Sequence, residues 1–324
     1  MLEHDIFTIA SSEDFEKRAL EVFRFQYNNT FVYRQYCDLL KKKPSKIHRT
    51  KDIPFLPIQF FKSQKVIASE KTSEVTFTSS GTTGSITSKH HVADLGLYRK
   101  SFSEAFKNTY GDPSEYVILA LLPSYLERDG SSLVYMAEHL IKASKHPYSG
   151  FYLNNYDALI KTVTELDSSG QKTILLGVSY ALLDIIEKQS FKLKNTIIME
   201  TGGMKGKRRE MVKEELHDIL KSGFGVSQIH GEYGMTELLS QAYSKGNGLF
   251  TCPPWMKILT RDTEDPLTLI NGRNGGINVI DLANLYSCSF IATQDLGKTH
   301  ANGSFEILGR FDNSDVRGCN LMVL

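Results

Sequence analysis

The sequence has few cysteines, almost no net charge and no long hydrophobic run. Its four cysteines are scattered without a C-x-x-C pair, which argues against a zinc site or a disulfide framework. Lysine and arginine total 38 against 37 aspartate and glutamate residues, and the net charge of +1 favours neither nucleic acid nor an anionic membrane as a partner. The longest aliphatic run, residues 117–122, stops at Pro123, and the amino terminus lacks the pattern of a signal peptide. These absences predict a cytoplasmic protein with a small ligand and no membrane span.

A loop rich in glycine and hydroxyl groups occupies residues 78–85, directly after the alternating run 74–77. Gly81 and Gly84 let the backbone turn tightly and present N–H groups to an anion, while the serine and threonine hydroxyls add donors. Only two residues separate the glycines and no lysine follows at once, so neither the P-loop nor the G-x-G-x-x-G motif fits. The pattern predicts a phosphate-binding loop, and an ordinary Ser/Gly turn is the alternative that the loop alone leaves open.

Three further elements follow in order along the chain. Tyr233-Gly234-Met235-Thr236-Glu237 comes after the apolar run 226–229, which predicts a position at the end of a strand, where α/β proteins keep their chemistry. Residues 293–297 (Thr-Gln-Asp-Leu-Gly) and 309–312 (Gly-Arg-Phe-Asp) complete the set. With the loop, these elements resemble the adenylate-forming superfamily, whose members use ATP to convert a carboxylic acid into an acyl-adenylate. The resemblance covers roughly residues 50–324.

Within that superfamily the sequence is most similar to the LuxE-type acyl-protein synthetases of bacterial bioluminescence. Three regions carry this likeness: residues 53–62, residues 122–132 and Arg317-Gly318-Cys319. The resemblance implies ATP-dependent activation of a carboxylic acid, a fatty acid by analogy, then acyl transfer to a thiol and delivery to a partner such as a reductase or a carrier protein. Two alternatives stay open. One is a ligase that loads an aryl or other acid onto CoA or a carrier protein, and the other is a non-catalytic nucleotide-binding partner.

The resemblance also assigns cofactor and metal residues. The glycine-rich loop would hold the ATP phosphates, the segment at Gly202 would lie under the adenine beside Tyr233, and Asp295 would accept hydrogen bonds from the ribose. Thr236 would bond the α-phosphate and Glu237 would help to coordinate Mg²⁺, a hard cation that prefers oxygen ligands. The nucleotide-binding set comprises Ser79, Ser80, Gly81, Thr82, Thr83, Gly84, Gly202, Gly203, Tyr233, Gly234, Met235, Thr236, Asp295 and Arg310.

Thr236, Glu237 and Cys319 are the predicted catalytic residues. Cys319 resembles the cysteine that acyl-protein synthetases acylate, and the neighbouring Arg317 would favour its thiolate. Simpler structural interpretations stand beside these roles: Glu237 as a solvated charge, Cys319 as a small buried hydrophobe, and the glycine pair at 202–203 as a turn. The pair His90-His91 has no partner at metal-ligand spacing and is interpreted as structural or surface.

The hydrophobic pattern predicts an α/β fold in three parts. Residues 1–70 contain helical apolar spacing and form a helical layer, residues 71–244 alternate strands with helices as in a parallel βαβ sheet, and residues 245–324 form a β-rich subdomain. The predicted helices of the middle part include residues 156–168, 179–188 and 207–221, and a predicted strand at residues 289–293 ends just before Asp295. Adenylate-forming enzymes continue beyond the Gly-Arg-x-Asp element into a small domain that supplies a lysine. Because the sequence ends at Leu324, we expect the large amino-terminal domain of this fold without that small domain.

Overall fold

The computed structural model describes residues 2–79, 86–123, 130–153, 155–204, 207–209 and 211–311. The glycine-rich residues 80–84 and Cys319, both predicted to be functional, lie outside the described residues. None of the described helices combines the length and the apolar character needed to cross a membrane.

The amino-terminal region is helical, as the apolar spacing predicts. It contains α1 (Leu2–Asp5), α2 (Ser12–Asn29), α3 (Phe31–Leu39) and α4 (Phe60–Ser63), with 3-10 turns at residues 6–8, 44–46 and 50–52. The Ser11 hydroxyl caps α2 by accepting a hydrogen bond from the Asp14 N–H at 3.1 Å. The buried face of α2 includes Gln26, whose side-chain amide donates to the carbonyls of Asn284 and Leu285. These bonds fix the helical layer to the carboxyl-terminal strands.

A hairpin of β2 (Val75–Thr78) and β3 (Lys89–Val92) forms a separate two-stranded sheet. Its strands are antiparallel, with Thr78 opposite Lys89, so the predicted phosphate-binding loop leaves and re-enters the fold at adjacent points. Helix α5 (Leu95–Tyr110) follows, with Asp94 capping it through the Leu97 N–H.

The central region alternates strands and helices. In chain order these are β4 (Val117–Leu121), α6 (Ser132–Ser144), β5 (Gly150–Phe151), α7 (Tyr156–Ser168), β6 (Thr173–Val178), α8 (Ser179–Lys188), β7 (Thr196–Thr201), α9 (Lys213–Phe224) and β8 (His230–Tyr233). The neighbouring strands β5-β4-β6-β7-β8 all pair in parallel. Every residue of β4 and β6 is buried, as expected for strands covered by helices on both faces.

The carboxyl-terminal region consists of short antiparallel strands. These are β9 (Ala242–Ser244), β10 (Phe250–Thr251), β11 (Met256–Arg261), β12 (Leu269–Ile270), β13 (Gly275–Asp281), β14 (Phe290–Thr299) and β15 (Phe305–Arg310). They continue the parallel sheet, so that within the described residues one sheet runs β12-β11-β13-β14-β15-β10-β9-β8-β7-β6-β4-β5. The early strand β1 (Leu56–Pro57) pairs in parallel with β14. The predicted α/β class, with a parallel sheet and a β-rich part, is confirmed, whereas the division into three domains stays a prediction.

Three predicted boundaries are wrong. The strand expected at residues 226–229 is irregular, and β8 occupies the next four residues, His-Gly-Glu-Tyr, which carry little apolar character. The helix expected at residues 207–221 begins at Lys213 and ends at Phe224, where Gly225 in the left-handed region closes it. Asp295 lies within β14 instead of following a strand, because that strand continues to Thr299.

Candidate active site

Three predicted nucleotide-binding residues meet at the junction of β8, β14 and β15. The Tyr233 hydroxyl donates to Asp295 Oδ2 at 2.8 Å, and the Arg310 Nε lies 3.3 Å from Asp295 Oδ1. The side chain of Asp295 is 10% exposed and that of Arg310 is 69% exposed. Burial raises the pKa of Asp295, and the Arg310 guanidinium opposes that shift. The carboxylate is therefore held from both sides, and the arginine on its outer side is open to solvent.

The paired strands β14 and β15 bring these residues together. Asp295 is directly opposite Arg310 in the antiparallel register of these two consecutive strands. The ring of Tyr233 packs edge-on against Phe305 at 5.4 Å between centroids, which fixes the direction of its hydroxyl.

Thr236 and Glu237 lie in the segment that joins β8 to β9. Glu237 is buried, so the interpretation as a solvated surface charge is wrong for its side chain. Burial raises the pKa of Glu237, whereas a hydrogen bond from the Ser88 side chain lowers it. Arg310 also lowers this pKa through its charge, which relates Glu237 to the Asp295 cluster.

The stem of the predicted phosphate-binding loop is closed by Ser79 and Ser88. The Ser79 N–H donates to the Ser88 carbonyl at 3.1 Å, and the Ser88 N–H donates to the Ser79 hydroxyl at 2.9 Å. Ser79 is the described member of the predicted loop set, and Ser88 was missed because its distance from the glycines gave no signal. Through Ser88 the loop stem reaches Glu237.

Gly202 and Gly203 follow β7, at the edge of the sheet where β8 also ends. Thr201 is opposite Glu232 in the parallel register, so Gly202 leaves the sheet beside Tyr233. Gly202 has a positive φ of 70°, and its carbonyl accepts a hydrogen bond from the Ser179 hydroxyl at 2.8 Å. The pair does form a turn, and that turn is placed beside the predicted adenine neighbour.

The residues after Glu237 are fixed by one buried carboxylate. Asp281 at the end of β13 accepts hydrogen bonds from the N–H groups of Leu239 and Ser240 at 2.7 and 3.0 Å, and from the Ser240 hydroxyl. The indole N–H of Trp255 in turn donates to the Ser240 hydroxyl at 3.0 Å. Asp281 and Trp255 therefore determine where this segment runs.

Two buried glutamates beside the site were also missed by sequence reasoning. Glu232 accepts a hydrogen bond from Thr201, and burial raises the pKa of Glu232 to about 7. Glu200 lies on the opposite face of the sheet, where Ser179 donates to it at 2.6 Å and the Lys213 Nζ is 3.4 Å away. Neither residue stands at a recognisable spacing in the sequence.

The pair His90-His91 divides between two environments. His90 is fully buried and contacts the carbonyl of Thr236, so the surface interpretation is wrong for it. His91 is half-buried, and its Nδ1 lies 3.0 Å from the Thr76 hydroxyl across the hairpin.

The donor set at Glu237 suits a Mg²⁺ ion that is bound mainly by its nucleotide. Among the described residues no three His, Cys, Asp or Glu side chains are placed to hold a metal together. Mg²⁺ commonly binds through one or two carboxylates, with phosphate oxygens and water filling the other positions. A cation beside Glu237 would also favour the ionised form of a carboxyl group whose pKa burial raises.

Comparison with solved structures identifies the fold. The chain is similar to the open conformation of a 2-hydroxyisobutyryl-CoA ligase in complex with 2-HIB-AMP and CoA, with a TM-score of 0.66, 12% identity, and coverage of 94% of this chain and 72% of that one. It is also similar to ATP-bound MatB from Rhodopseudomonas palustris, with a TM-score of 0.55, 18% identity and coverage of 72% of this chain. The matched region spans 47% of the MatB chain. The fold is that of the adenylate-forming enzymes.

The family follows from the sequence comparisons. The family model described as acyl-protein synthetase, LuxE, matches residues 7–324, and the chain belongs to that family. It is 23% identical over 332 residues to the long-chain-fatty-acid–luciferin-component ligase of Aliivibrio fischeri, with coverage of 94% of this chain and 86% of that protein. This membership confirms the predicted enzyme class, an acyl-protein synthetase-like, AMP-forming ligase.

Proposed function

We propose that the protein uses ATP and Mg²⁺ to activate a fatty acid as its acyl-adenylate and then transfers the acyl group to a thiol. The observation that carries the proposal is the convergence of Tyr233, Asp295 and Arg310 beside the Thr236–Glu237 segment. A carboxylate accepts hydrogen bonds from ribose hydroxyls, and a solvent-exposed guanidinium suits a phosphate. The name of the Aliivibrio relative, a long-chain-fatty-acid ligase, supports a fatty acid over an aromatic acid.

In the first step an oxygen of the fatty-acid carboxylate attacks the α-phosphorus of ATP. A new P–O bond forms, the bond from the α-phosphorus to the bridging oxygen breaks, and pyrophosphate leaves with the electron pair. Such a reaction requires alignment and charge neutralisation more than covalent help from the protein. Residues 79–84 and Thr236 would hold the phosphates, and Gly202, Gly203, Tyr233, Gly234 and Met235 would surround the base. Asp295 would orient the ribose, and Arg310 would contact a phosphate of the same nucleotide. Glu237 would hold Mg²⁺, which neutralises phosphate charge when bound.

In the second step a thiolate attacks the carbonyl carbon of the acyl-adenylate. A C–S bond forms, the bond from that carbon to the phosphate oxygen breaks, and AMP leaves. We propose Cys319 as the thiol, with an acyl-accepting reductase or carrier protein as the next acceptor. The described cysteines support this choice, because burial raises the pKa of Cys37 to about 12 and raises those of Cys252 and Cys288 further. A thiol held in its neutral form is a poor nucleophile.

The adenylation step is tested by ATP–pyrophosphate exchange with Mg²⁺ over a panel of fatty and aromatic acids. We expect fatty acids to stimulate incorporation of labelled pyrophosphate into ATP, and aromatic acids to leave it at the background level. Stimulation by aromatic acids alone would overturn the proposed substrate class. Absence of exchange with every acid, despite measurable ATP binding, would overturn the enzymatic function and favour a nucleotide-binding partner.

The transfer step is tested by the variant Cys319→Ser, with Cys37→Ser as the matched control. We expect Cys319→Ser to retain exchange and to lose the labelled acyl adduct, measured as radioactivity that hydroxylamine releases from precipitated protein. The control should keep the adduct if it folds, since Cys37 is a buried residue of α3 and is not among the predicted site residues. An undiminished adduct in Cys319→Ser would show that another nucleophile on this chain receives the acyl group, and the absence of any adduct on the wild type would show that no residue of this chain does.

A further inference from the structure

His90 connects the loop hairpin to the segment that carries Thr236 and Glu237. Its ring is fully buried, with Nδ1 lying 2.8 Å from the Thr236 carbonyl oxygen and Nε2 lying 3.0 Å from Asn284 Oδ1. Phe61 packs edge-on against the imidazole at 5.7 Å between centroids, which fixes the plane of the ring. A histidine on β3 therefore contacts a predicted phosphate-binding residue that is 146 positions away.

Asn284 completes the connection from a third part of the chain. Its Nδ2 donates to the Glu237 carbonyl at 2.8 Å and to the Cys288 carbonyl at 2.9 Å. Consecutive carbonyls, those of Thr236 and Glu237, are thus held by two side chains that also contact each other. Asn284 is 1% exposed, so water cannot easily replace these bonds.

Strand β3, which carries His90, begins directly after Ser88 at the stem of the phosphate-binding loop. Ser88 lies two residues before His90 and exchanges hydrogen bonds with Ser79, and its side chain lowers the pKa of the Glu237 carboxyl group. Glu237 is therefore held at its carbonyl by Asn284, while its carboxyl group interacts with Ser88 at the loop stem. Displacement of β3 would move the loop stem and this segment together.

We propose that His90 and Asn284 are positioning residues that fix the Thr236–Glu237 backbone in register with the stem of the phosphate-binding loop. This inference rests on the proposed function, because it assigns both ends of the connection to one nucleotide. Neither residue touches the reacting atoms. Their role is to keep Thr236 at the α-phosphate and Glu237 at the metal while the loop holds the remaining phosphates.

The contact of His90 with Thr236 and its contact with Asn284 can be tested separately by substitution, because a neutral imidazole donates only one hydrogen bond. Both the Thr236 carbonyl and Asn284 Oδ1 accept hydrogen bonds, since Asn284 already donates through Nδ2 to two carbonyls. A neutral imidazole carries one N–H and satisfies one of these acceptors, whereas only the doubly protonated ring satisfies both. Asparagine at position 90 would place its amide near the site of Nδ1, and glutamine would place its amide near the site of Nε2.

The experiment compares His90→Asn, His90→Gln and His90→Leu with the wild type, and uses His91→Leu as the matched control from the same strand. Pyrophosphate exchange gives kcat and the KM values for ATP and acid, and calorimetric titration gives the ATP affinity with and without Mg²⁺.

We expect His90→Leu to lower kcat by roughly 10- to 100-fold, as for a small misplacement of reacting groups, with the acid KM unchanged. The Mg²⁺-dependent gain in ATP affinity should shrink in parallel. His90→Asn should recover most of both losses, since it restores the contact to Thr236, and His91→Leu should behave as wild type.

A thermal unfolding curve for each variant separates positioning from folding. Wild-type kcat and Mg²⁺ dependence in folded His90→Leu would overturn the proposal. So would losses that match the unfolded fraction, or equal losses in the asparagine, glutamine and leucine variants. If the wild type exchanges no pyrophosphate, the proposed function fails. The ATP titrations still decide the positioning role, because they require nucleotide binding and no turnover.

Discussion

At the scale of single residues, the unexpected feature is the number of buried acidic groups around the predicted nucleotide. Glu200, Glu232, Glu237, Asp281 and Asp295 are all buried. The carboxylates of Glu200, Glu232, Asp281 and Asp295 each accept a hydrogen bond from a neighbouring group. Without such a partner, a buried carboxylate would be strongly disfavoured. Sequence reasoning found Glu237 and Asp295 because they belong to recognisable elements. It missed the other three, because their importance depends on which strands become neighbours.

Glu232 gives a prediction about stability and pH. Burial raises its pKa from 4.5 to about 7, Glu200 adds to the shift, and Thr201 and Lys213 oppose it. Between these values the folded protein retains a proton that the unfolded chain has released, so stability falls as pH rises from about 4.5 to 7. Glutamine at this position is always neutral and still accepts from Thr201. We expect the stability of Glu232→Gln relative to wild type to increase by roughly 1–3 kcal/mol from pH 5 to pH 8.

Urea unfolding of both proteins at pH 5, 6, 7 and 8 measures this difference. Glu165→Gln serves as the control, because Glu165 is an exposed helix residue whose partner Lys161 lies 3.9 Å away in solvent. The difference in the free energy of unfolding between Glu165→Gln and the wild type should stay nearly constant from pH 5 to pH 8. A constant difference for Glu232→Gln as well would show that Glu232 titrates normally in the folded state.

At the scale of elements, the helices were predicted better than the strand that carries the site. The helices Tyr156–Ser168 and Ser179–Lys188 have the bounds that their apolar spacing predicts. Strand β8 begins four residues after the predicted strand, and the sequence did not indicate it because His230, Gly231 and Glu232 are not typical strand residues. Its stability comes from pairing with β7 and β9, and Gly231 leaves space for the Phe250 ring, which would lie 3.0 Å from an added Cβ. Tertiary contacts of this kind leave no periodic pattern in the sequence.

Beyond Glu237, the backbone N–H groups of the β8–β9 segment are held by the Asp281 carboxylate, which provides a second prediction. Asp281→Ala would leave the buried N–H groups of Leu239 and Ser240 without acceptors, at a cost of about 1–3 kcal/mol for each group. We expect a total destabilisation of roughly 3–5 kcal/mol, measured as the loss in the free energy of unfolding in urea at pH 7. Asp281→Asn, which keeps one carbonyl-type acceptor, should lose less.

Asp262→Ala is the matched control for this loss. Asp262 also accepts from two backbone N–H groups, those of Glu264 and Asp265, but in an exposed turn where water replaces the lost acceptor. The control should be destabilised by about 1 kcal/mol or less. Equal losses in Asp281→Ala and Asp262→Ala would mean that the β8–β9 segment is held by its packing and not by the carboxylate.

At the scale of the whole molecule, the sequence predicted which parts are α/β and which are β-rich, but not how they join. Strands β9, β10 and β15 continue the parallel sheet into the antiparallel one, so the parts share hydrogen bonds within the described residues. Asp295 contacts Tyr233 across that junction, and Arg310 pairs with Asp295. The order of the motifs along the sequence therefore predicted that they share one site. The direction in which individual side chains point, that of His90 above all, could be known only from the folded structure.

The hydrogen bond from Trp255 has a practical consequence. The chain contains a single tryptophan, and its buried indole N–H donates to the Ser240 hydroxyl that also bonds Asp281. Indole emission changes in wavelength and intensity with hydrogen bonding and local polarity. The protein thus contains an intrinsic optical reporter of the segment that carries Thr236 and Glu237, and a rearrangement of this segment can be followed in real time without attaching a dye.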